Sequence, residues 1–318
     1  MYIEREKKRM KKITIIVPCY NEEETIPYFY NEIVKYLDSN HDWHIILVND
    51  GSKDKTLEIM KEYAKKDKRM LYLSFSRNFG KEAAMYAGLE ASMKIKSDAA
   101  IIMDVDLQDP PSLIPEMLKA YEEGYQHIYA KHKNRKGANP FKAMCSLAFY
   151  KVYAFITKDK QMAKGARDFC LLDKKVVEAF LKIKDYERFT KGIYHYVGFK
   201  KKCIEFDYVE RVAGTTKWSF KKLFHYALLG IREFSRFYEY IPKIFAWLTF
   251  FLLGFDVIYG IVKHNMNWSA IRLDAFMLLL FITLFYICRL IYEVRNQVQN
   301  RPIYIEDESN VDEVNEAE

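Results

Sequence analysis

The chain has 318 residues, half of them hydrophobic and 16% aromatic, enough for one large domain or two modest ones. Its formal charge is +7, yet the closing stretch IEDESNVDEVNEAE holds seven acids and no lysine or arginine, so the body is more basic than the total. Such a body suits an anionic partner (lipid, nucleotide or nucleic acid), though a solvated basic surface reads the same. The five cysteines form no C-x-x-C pair and no metal-ligand spacing, which argues against a disulfide or zinc framework. The first apolar run, ITIIVP, is too short for the core of a secretory signal.

Short apolar runs alternate with helix-like runs through the first half. KITIIVP predicts a strand with a helix from about Thr25, HIILVND a strand with a helix from about Lys53, MLYLSFS a strand with a helix from Lys81, and AAIIMD a strand with a helix from about Ser112. Strand–helix alternation with continuously apolar strands implies a parallel sheet covered on both faces. Ligands of such sheets sit at the carboxyl ends of the strands. The polar clusters fall there: PCYNEEE, NDGSKDKT, SRNFGKE and DVDLQDPP, one after each strand. Residues 132–168 are less regular, with a basic loop-like KHKNRKGANP and a helix from Phe141; DFCLLD and KKCIEFDYVER follow as short edge strands.

The composition changes after the turn RVAGTTKW. WSFKKLFHYALLGIREFSRFYEY alternates apolar and basic groups at helical spacing and suits a helix in the membrane interface. Residues 244–262 form a 19-residue apolar run interrupted by Asp256, and 275–288 a 14-residue run flanked by Arg272, Asp274 and Arg289. A spanning helix needs about 20 apolar residues, so the second run reaches only with snorkelling ends. Two buried core helices are the alternative. The membrane reading is preferred because the runs adjoin and follow an interfacial helix. Basic residues crowd the outer flanks, which by the positive-inside rule leaves both termini and the first half in the cytoplasm. The expected organisation is a basic segment 1–12, a catalytic domain 13–216, juxtamembrane helices 217–242, a transmembrane hairpin 243–292 and an acidic tail 293–318.

Asp104 and Asp106 flank one residue at a strand end. In extended backbone both side chains point the same way, and two like charges that close call for a cation between them. Mg²⁺ or Mn²⁺ suits oxygen donors and completes its shell with water and phosphate oxygens. Gln108 can add a neutral oxygen, while Asp109 before Pro110 reads as a turn or helix-start residue. Asp50 and Asp54 in NDGSKDKT are good helix-capping chemistry as well as ligand-binding candidates.

IIVPCYNEEETI, LVNDGSKDKT, SFSRNFGKEAAMYAGL and MDVDLQDPPSLIPEM together resemble the family 2 glycosyltransferases of the GT-A fold. The closer resemblance is to their polyprenyl-phosphate subgroup, the bactoprenol glucosyltransferases and dolichol-phosphate mannosyltransferases. It runs from about Ile13 to the second apolar run, and RDFCLLD, RFTKG and RVAGTTKWSF extend it. The Q-x-x-R-W signature of processive synthases is missing, so one sugar per event is expected. The resemblance implies a Rossmann-like, mostly parallel mixed sheet with helices on both faces, plus an interfacial helix and two membrane helices.

By that resemblance Pro18, Tyr20, Asn21 and Glu22 hold the nucleotide, with Asp50 near the base and Ser52 beside it. Asn78, Gly80 and Lys81 lie near ribose and diphosphate, Asp104, Asp106 and Gln108 hold the metal, and Asp168 faces the reacting sugar. Arg167, Arg188, Arg211 and Lys217 are candidates for acceptor phosphate or diphosphate. Cys170 stands where relatives often have arginine, and TTKW replaces the commoner Ser-Lys-Tyr.

The implied reaction inverts the sugar carbon as a hexose passes from a nucleotide diphosphate to a lipid phosphate. UDP-glucose and undecaprenyl phosphate are the first choices, with UDP-GlcNAc or GDP-mannose as alternative donors. A homo-tetramer in the cell membrane is expected from the resemblance. A non-catalytic nucleotide-binding membrane partner is the rival of another class, disfavoured by the intact Asp104, Asp106 and Gln108. Nucleic-acid binding is disfavoured because the aromatic residues cluster in the membrane-like runs.

Overall fold

The computed structural model of the chain describes residues 9–133, 166–185, 188–207, 228–229, 269–298 and 306–310. The chain forms β1 (Lys11–Cys19), α1 (Thr25–Ile33), β2 (His41–Asn49), α2 (Thr56–Lys66), β3 (Met70–Phe75), α3 (Lys81–Lys94), β4 (Ala99–Ile102) and α4 (Ile114–Glu122). There follow β5 (His127–His132), β6 (Ala166–Asp173), α5 (Lys174–Leu181), α6 (Thr190–Tyr196), β7 (Lys201–Phe206), α7 (Ser269–Val298) and β8 (Glu306–Ser309).

One sheet holds the strands in the order β7-β5-β6-β4-β1-β2-β3-β8. β4, β1, β2 and β3 are mutually parallel, β5 and β7 pair parallel, β6 runs antiparallel to both β4 and β5, and β8 antiparallel to β3. The parallel core follows from β1 and β2 being apolar on both faces. Ile13, Ile15 and Val17 pack one way with Phe29 and Met117, and Ile16 packs the other way with Ala84, Leu89, Val176 and Phe180. Helices therefore cover both faces, as the alternation implies. Gly88 lets α3 lie close on β1, since a Cβ there would meet Ile16 Cγ2 at 2.2 Å. Chain order reverses on either side of β1, where β4 and β2 flank it, and in open sheets of this kind that switch point is where ligands bind.

Several expectations are revised. α2 starts at Thr56 rather than Lys53, because residues 51–55 are occupied in bonds between loops. α4 starts at Ile114, after a 3₁₀ turn over Pro111–Leu113. β6 lies inside the sheet and not at its edge, as its unbroken buried run Phe169, Cys170, Leu171, Leu172 requires. β5 escapes a reading for period because its apolar pair abuts the basic KHKNRK. The tail expected as a free acidic segment supplies β8. There Leu73 pairs with Ser309 and Phe75 with Glu306, and Asn310 Oδ1 accepts from Tyr72 N at 2.7 Å.

Among the described residues no helix is long and apolar enough to cross a membrane, so the expected span at 275–288 is not borne out. Fourteen apolar residues of helix reach only about 21 Å, against a hydrocarbon core of about 30 Å. The helix continues to Val298, beyond the expected hairpin end at 292, and exposes Phe276, Leu280, Leu284, Ile287, Ile291, Val294 and Val298 at three- and four-residue spacing. The expected helix from Phe141, the span 244–262 and nearly all of the interfacial run lie outside the described residues.

Candidate active site

The four polar loops do converge at one sheet edge, and the first two are laced together. Asn21, in a left-handed conformation with φ +52°, donates its N–H to Ser52 Oγ at 2.9 Å and accepts at Oδ1 from Lys53 N at 2.9 Å. Glu22 N donates to Thr56 Oγ1 at 2.7 Å, Lys55 N to Glu23 Oε2 at 3.0 Å, and Asp54 accepts from Glu23 N and Thr56 N. Asp54 is therefore a cap and a tie at once. Pro18, next to last in β1, lies opposite Val48, and Tyr20 opens the first loop.

Asp50 organises the third loop. It is buried, yet accepts from Phe79 N at 2.7 Å, from Gly80 N at 3.0 Å and from Asn78 Nδ2 at 2.9 Å. Burial raises its pKa to about 6, against the lowering effect of those N–H groups. A carboxylate spent on its own chain is a scaffold for residues 78–80. The loops also touch at Gly51, whose φ is +61° and where a Cβ would come within 2.3 Å of Arg77 C, so a side chain there is barred twice.

A charged cluster forms where α3 begins. β4 ends at Ile102, so strand alternation does not place Asp104 and Asp106 on one side as expected. They lie instead in a tight turn that carries Leu107 at φ +57°, an unusual conformation for a residue with that side chain. Asp106 is buried and accepts from Gln108 N at 3.1 Å. β6 pairs antiparallel with β4, Cys170 with Ile102, so the same register carried two residues on from Ile102 and two back from Cys170 sets Asp104 opposite Asp168. Lys81 Nζ sits between them, 2.6 Å from Asp104 Oδ1 and 2.8 Å from Asp168 Oδ2. Burial opposes ionisation of Asp168, but Lys81, then Lys191 and Arg167, hold it well below the usual carboxylate range. Lys81 is raised by the same pair of carboxylates.

The arginine candidates separate. Arg167 Nε binds Asp109 Oδ1 at 2.8 Å, and Asp109 is fully buried with its pKa pushed up by desolvation. Asp109 is thus an interior partner of Arg167, a role its place before Pro110 does not reveal. Arg188 is buried between the Tyr86 and Phe180 rings, 4.6 and 4.7 Å from their centroids, and Nη1 donates to the Ile183 carbonyl. It supports the helical layer and is not open to a phosphate there. Arg211 and Lys217 lie outside the described residues. Sequence reasoning missed a bond from Thr190 Oγ1 to Glu82 Oε2, which ties α6 to the first turn of α3.

A divalent cation fits the turn by donor chemistry. Asp104, Asp106 and Gln108 bring two carboxylates and an amide oxygen to one short stretch of backbone. Among the described residues no cluster of three or more His, Cys, Asp and Glu could hold a metal by itself. Mg²⁺ commonly keeps water and phosphate oxygens in its shell beside one or two carboxylates.

The model of Glycosyl transferase family 2 matches residues 14–181. The chain is 36% identical over 259 residues to a prophage bactoprenol glucosyl transferase homolog of Escherichia coli K12, covering 80% of this chain and 83% of the relative. It is 36% identical over 251 residues to the bactoprenol glucosyl transferase of Shigella phage SfV, covering 78% and 79%. It is 33% identical over 302 residues to YkcC of Bacillus subtilis, an uncharacterized glycosyltransferase, covering 92% of each. Among solved structures, glucosyl-3-phosphoglycerate synthase of Mycobacterium tuberculosis with Mg²⁺ and UDP is similar at a TM-score of 0.47 and 18% identity, covering 69% of this chain and 76% of that one.

Proposed function

Because this chain belongs to glycosyl transferase family 2, we propose that it moves one hexose from a nucleotide diphosphate onto a polyprenyl phosphate, with UDP-glucose and undecaprenyl phosphate as first choices. The observation that carries this reading is Lys81 bridging Asp104 and Asp168 at the sheet's switch point. Relatives named bactoprenol glucosyl transferase support the lipid acceptor.

Loops 20–24 and 50–55 form one rigid wall for the nucleotide, with Asp50 fixing residues 78–80 beneath its ribose and diphosphate. Asp104, Asp106 and Gln108 would hold Mg²⁺ or Mn²⁺, which when bound supplies charge stabilisation for the departing nucleoside diphosphate. A phosphate monoester has its second pKa near about 6, so the acceptor is largely a dianion at neutral pH and needs no strong base. Asp168, kept ionised by Lys81, then acts by orienting the sugar and stabilising positive charge at its reacting carbon. Inversion at that carbon follows from direct attack by the acceptor oxygen.

The work takes place at the cytoplasmic face of the cell membrane, held by the region beyond residue 216. The apolar stripe of α7 and the two apolar runs support that placement, and a homo-tetramer is the assembly the resemblance favours. Purified protein in detergent, offered labelled UDP-Glc, UDP-Gal, UDP-GlcNAc and GDP-Man with undecaprenyl phosphate, tests the proposal. Lipid-linked product from one donor, lost in Asp106→Ala and with EDTA, supports it. Intact nucleotide binding without transfer from any donor would move the reading to a non-catalytic partner.

A further inference from the structure

We infer that Lys191 is a substrate-contacting residue, its ammonium holding the phosphate of the acceptor against Asp168. The inference rests on the transfer reaction proposed above. It begins with where the site's positive charge is spent. Lys81 is bound to two carboxylates, Arg167 to Asp109, and Arg188 is enclosed by two rings. Among the described residues no carboxylate lies within ion-pair distance of Lys191. Its side chain is partly exposed, at the first turn of α6.

The fold ties this lysine's helix to the element that carries Lys81. Glu82 follows Lys81 and Thr190 precedes Lys191, and the Glu82–Thr190 bond joins the two pairs. The tie fixes the start of α6 beside the start of α3. Gly192 and Ile193, buried behind Lys191, hold the turn from inside. Lys81 contacts Asp168 from the start of α3, and Lys191 stands in the first turn of the helix tied to it. After Lys81, the field of Lys191 does most to keep Asp168 ionised.

An ionised Asp168 repels an incoming phosphate dianion. A second cation near the carboxylate offsets that repulsion while leaving Asp168 its charge for the sugar. Lys81 cannot serve both ends, since it lies between two carboxylates already. The donor's diphosphate is the other phosphate of the reaction, and the reading above assigns it to the Asp104–Gln108 turn.

The test is steady-state transfer by the full chain in detergent, varying undecaprenyl phosphate and the active donor separately. Lys191→Gln is expected to raise KM for the lipid about 10- to 100-fold, the loss of one charged hydrogen bond. Donor KM and UDP affinity by calorimetry should stay within about twofold, and Lys191→Arg should recover most of the loss. Matched melting temperatures guard against misfolding; if Lys191→Gln is destabilised, the Lys191→Arg and wild-type comparison at rising lipid decides. A shift in donor KM alone, or no shift in either, would overturn the assignment. Absence of transfer by the wild-type chain would instead sink the reaction itself.

Discussion

Replacing Lys81 by methionine keeps the length of the side chain and removes the charge that joins Asp104 to Asp168. The ion pairs are short, 2.6 and 2.8 Å, and the three side chains are each about a quarter exposed. At an effective dielectric constant of about 20, one such pair is worth about 6 kcal/mol of attraction before desolvation is charged against it. Breaking a buried pair costs about 3–5 kcal/mol, and partial exposure trims this to about 2–3 kcal/mol here. Urea unfolding of Lys81→Met in EDTA at neutral pH should show that loss. Excess Mn²⁺ should restore at least half of it, because a divalent cation at Asp104 and Asp106 replaces the missing charge. Lowering the pH should shrink it as well, since without Lys81 the carboxylates can take up a proton. A loss below about 0.5 kcal/mol in EDTA, or one indifferent to both Mn²⁺ and acid, would refute the bridging role.

Gly88→Ala should destabilise the fold by about 1–3 kcal/mol in the same assay, since the new methyl meets Ile16; an unchanged midpoint would mean α3 is not seated on β1 as described. His127 is buried against Tyr129 and Tyr194 with neither ring nitrogen bonded among the described residues, and burial lowers its pKa to about 3. The folded chain therefore binds fewer protons than the unfolded one below about pH 6.5, and stability falls as pH falls. His127→Phe should gain about 2 kcal/mol on wild type between pH 7.5 and 5; a difference flat across that range would contradict the burial. Ending the chain at residue 305 removes β8 and bares the β3 edge, so the Tyr72 amide should exchange with solvent at least tenfold faster, and unchanged exchange would show that the tail does not pair there.

Much of the fold is legible because β1 to β4 are apolar without interruption and each is followed by polar punctuation. The loops that build the site can be read for the same reason. β6 was misplaced although Phe169–Leu172 carries the mark of a strand buried on both faces; its brevity hid it. β8 could not be read, because an acidic strand is selected by an open edge on β3 and not by its own propensity. Asp104, Asp168 and Lys81 are visible as residues, but their union depends on antiparallel pairing between β4 and β6, which joins positions 64 apart in the chain. The enclosure of Arg188 and Asp109 is not legible, because charge in a sequence does not disclose burial.

The most direct measurement is transfer of labelled hexose to undecaprenyl phosphate by the purified chain, with Asp168→Asn and Asp106→Ala beside it. The expected result is a lipid-linked sugar from one nucleotide donor, reduced at least 100-fold by each substitution while UDP still binds to Asp168→Asn. Transfer that persists undiminished in Asp168→Asn would contradict the role given to the Lys81-bridged carboxylate.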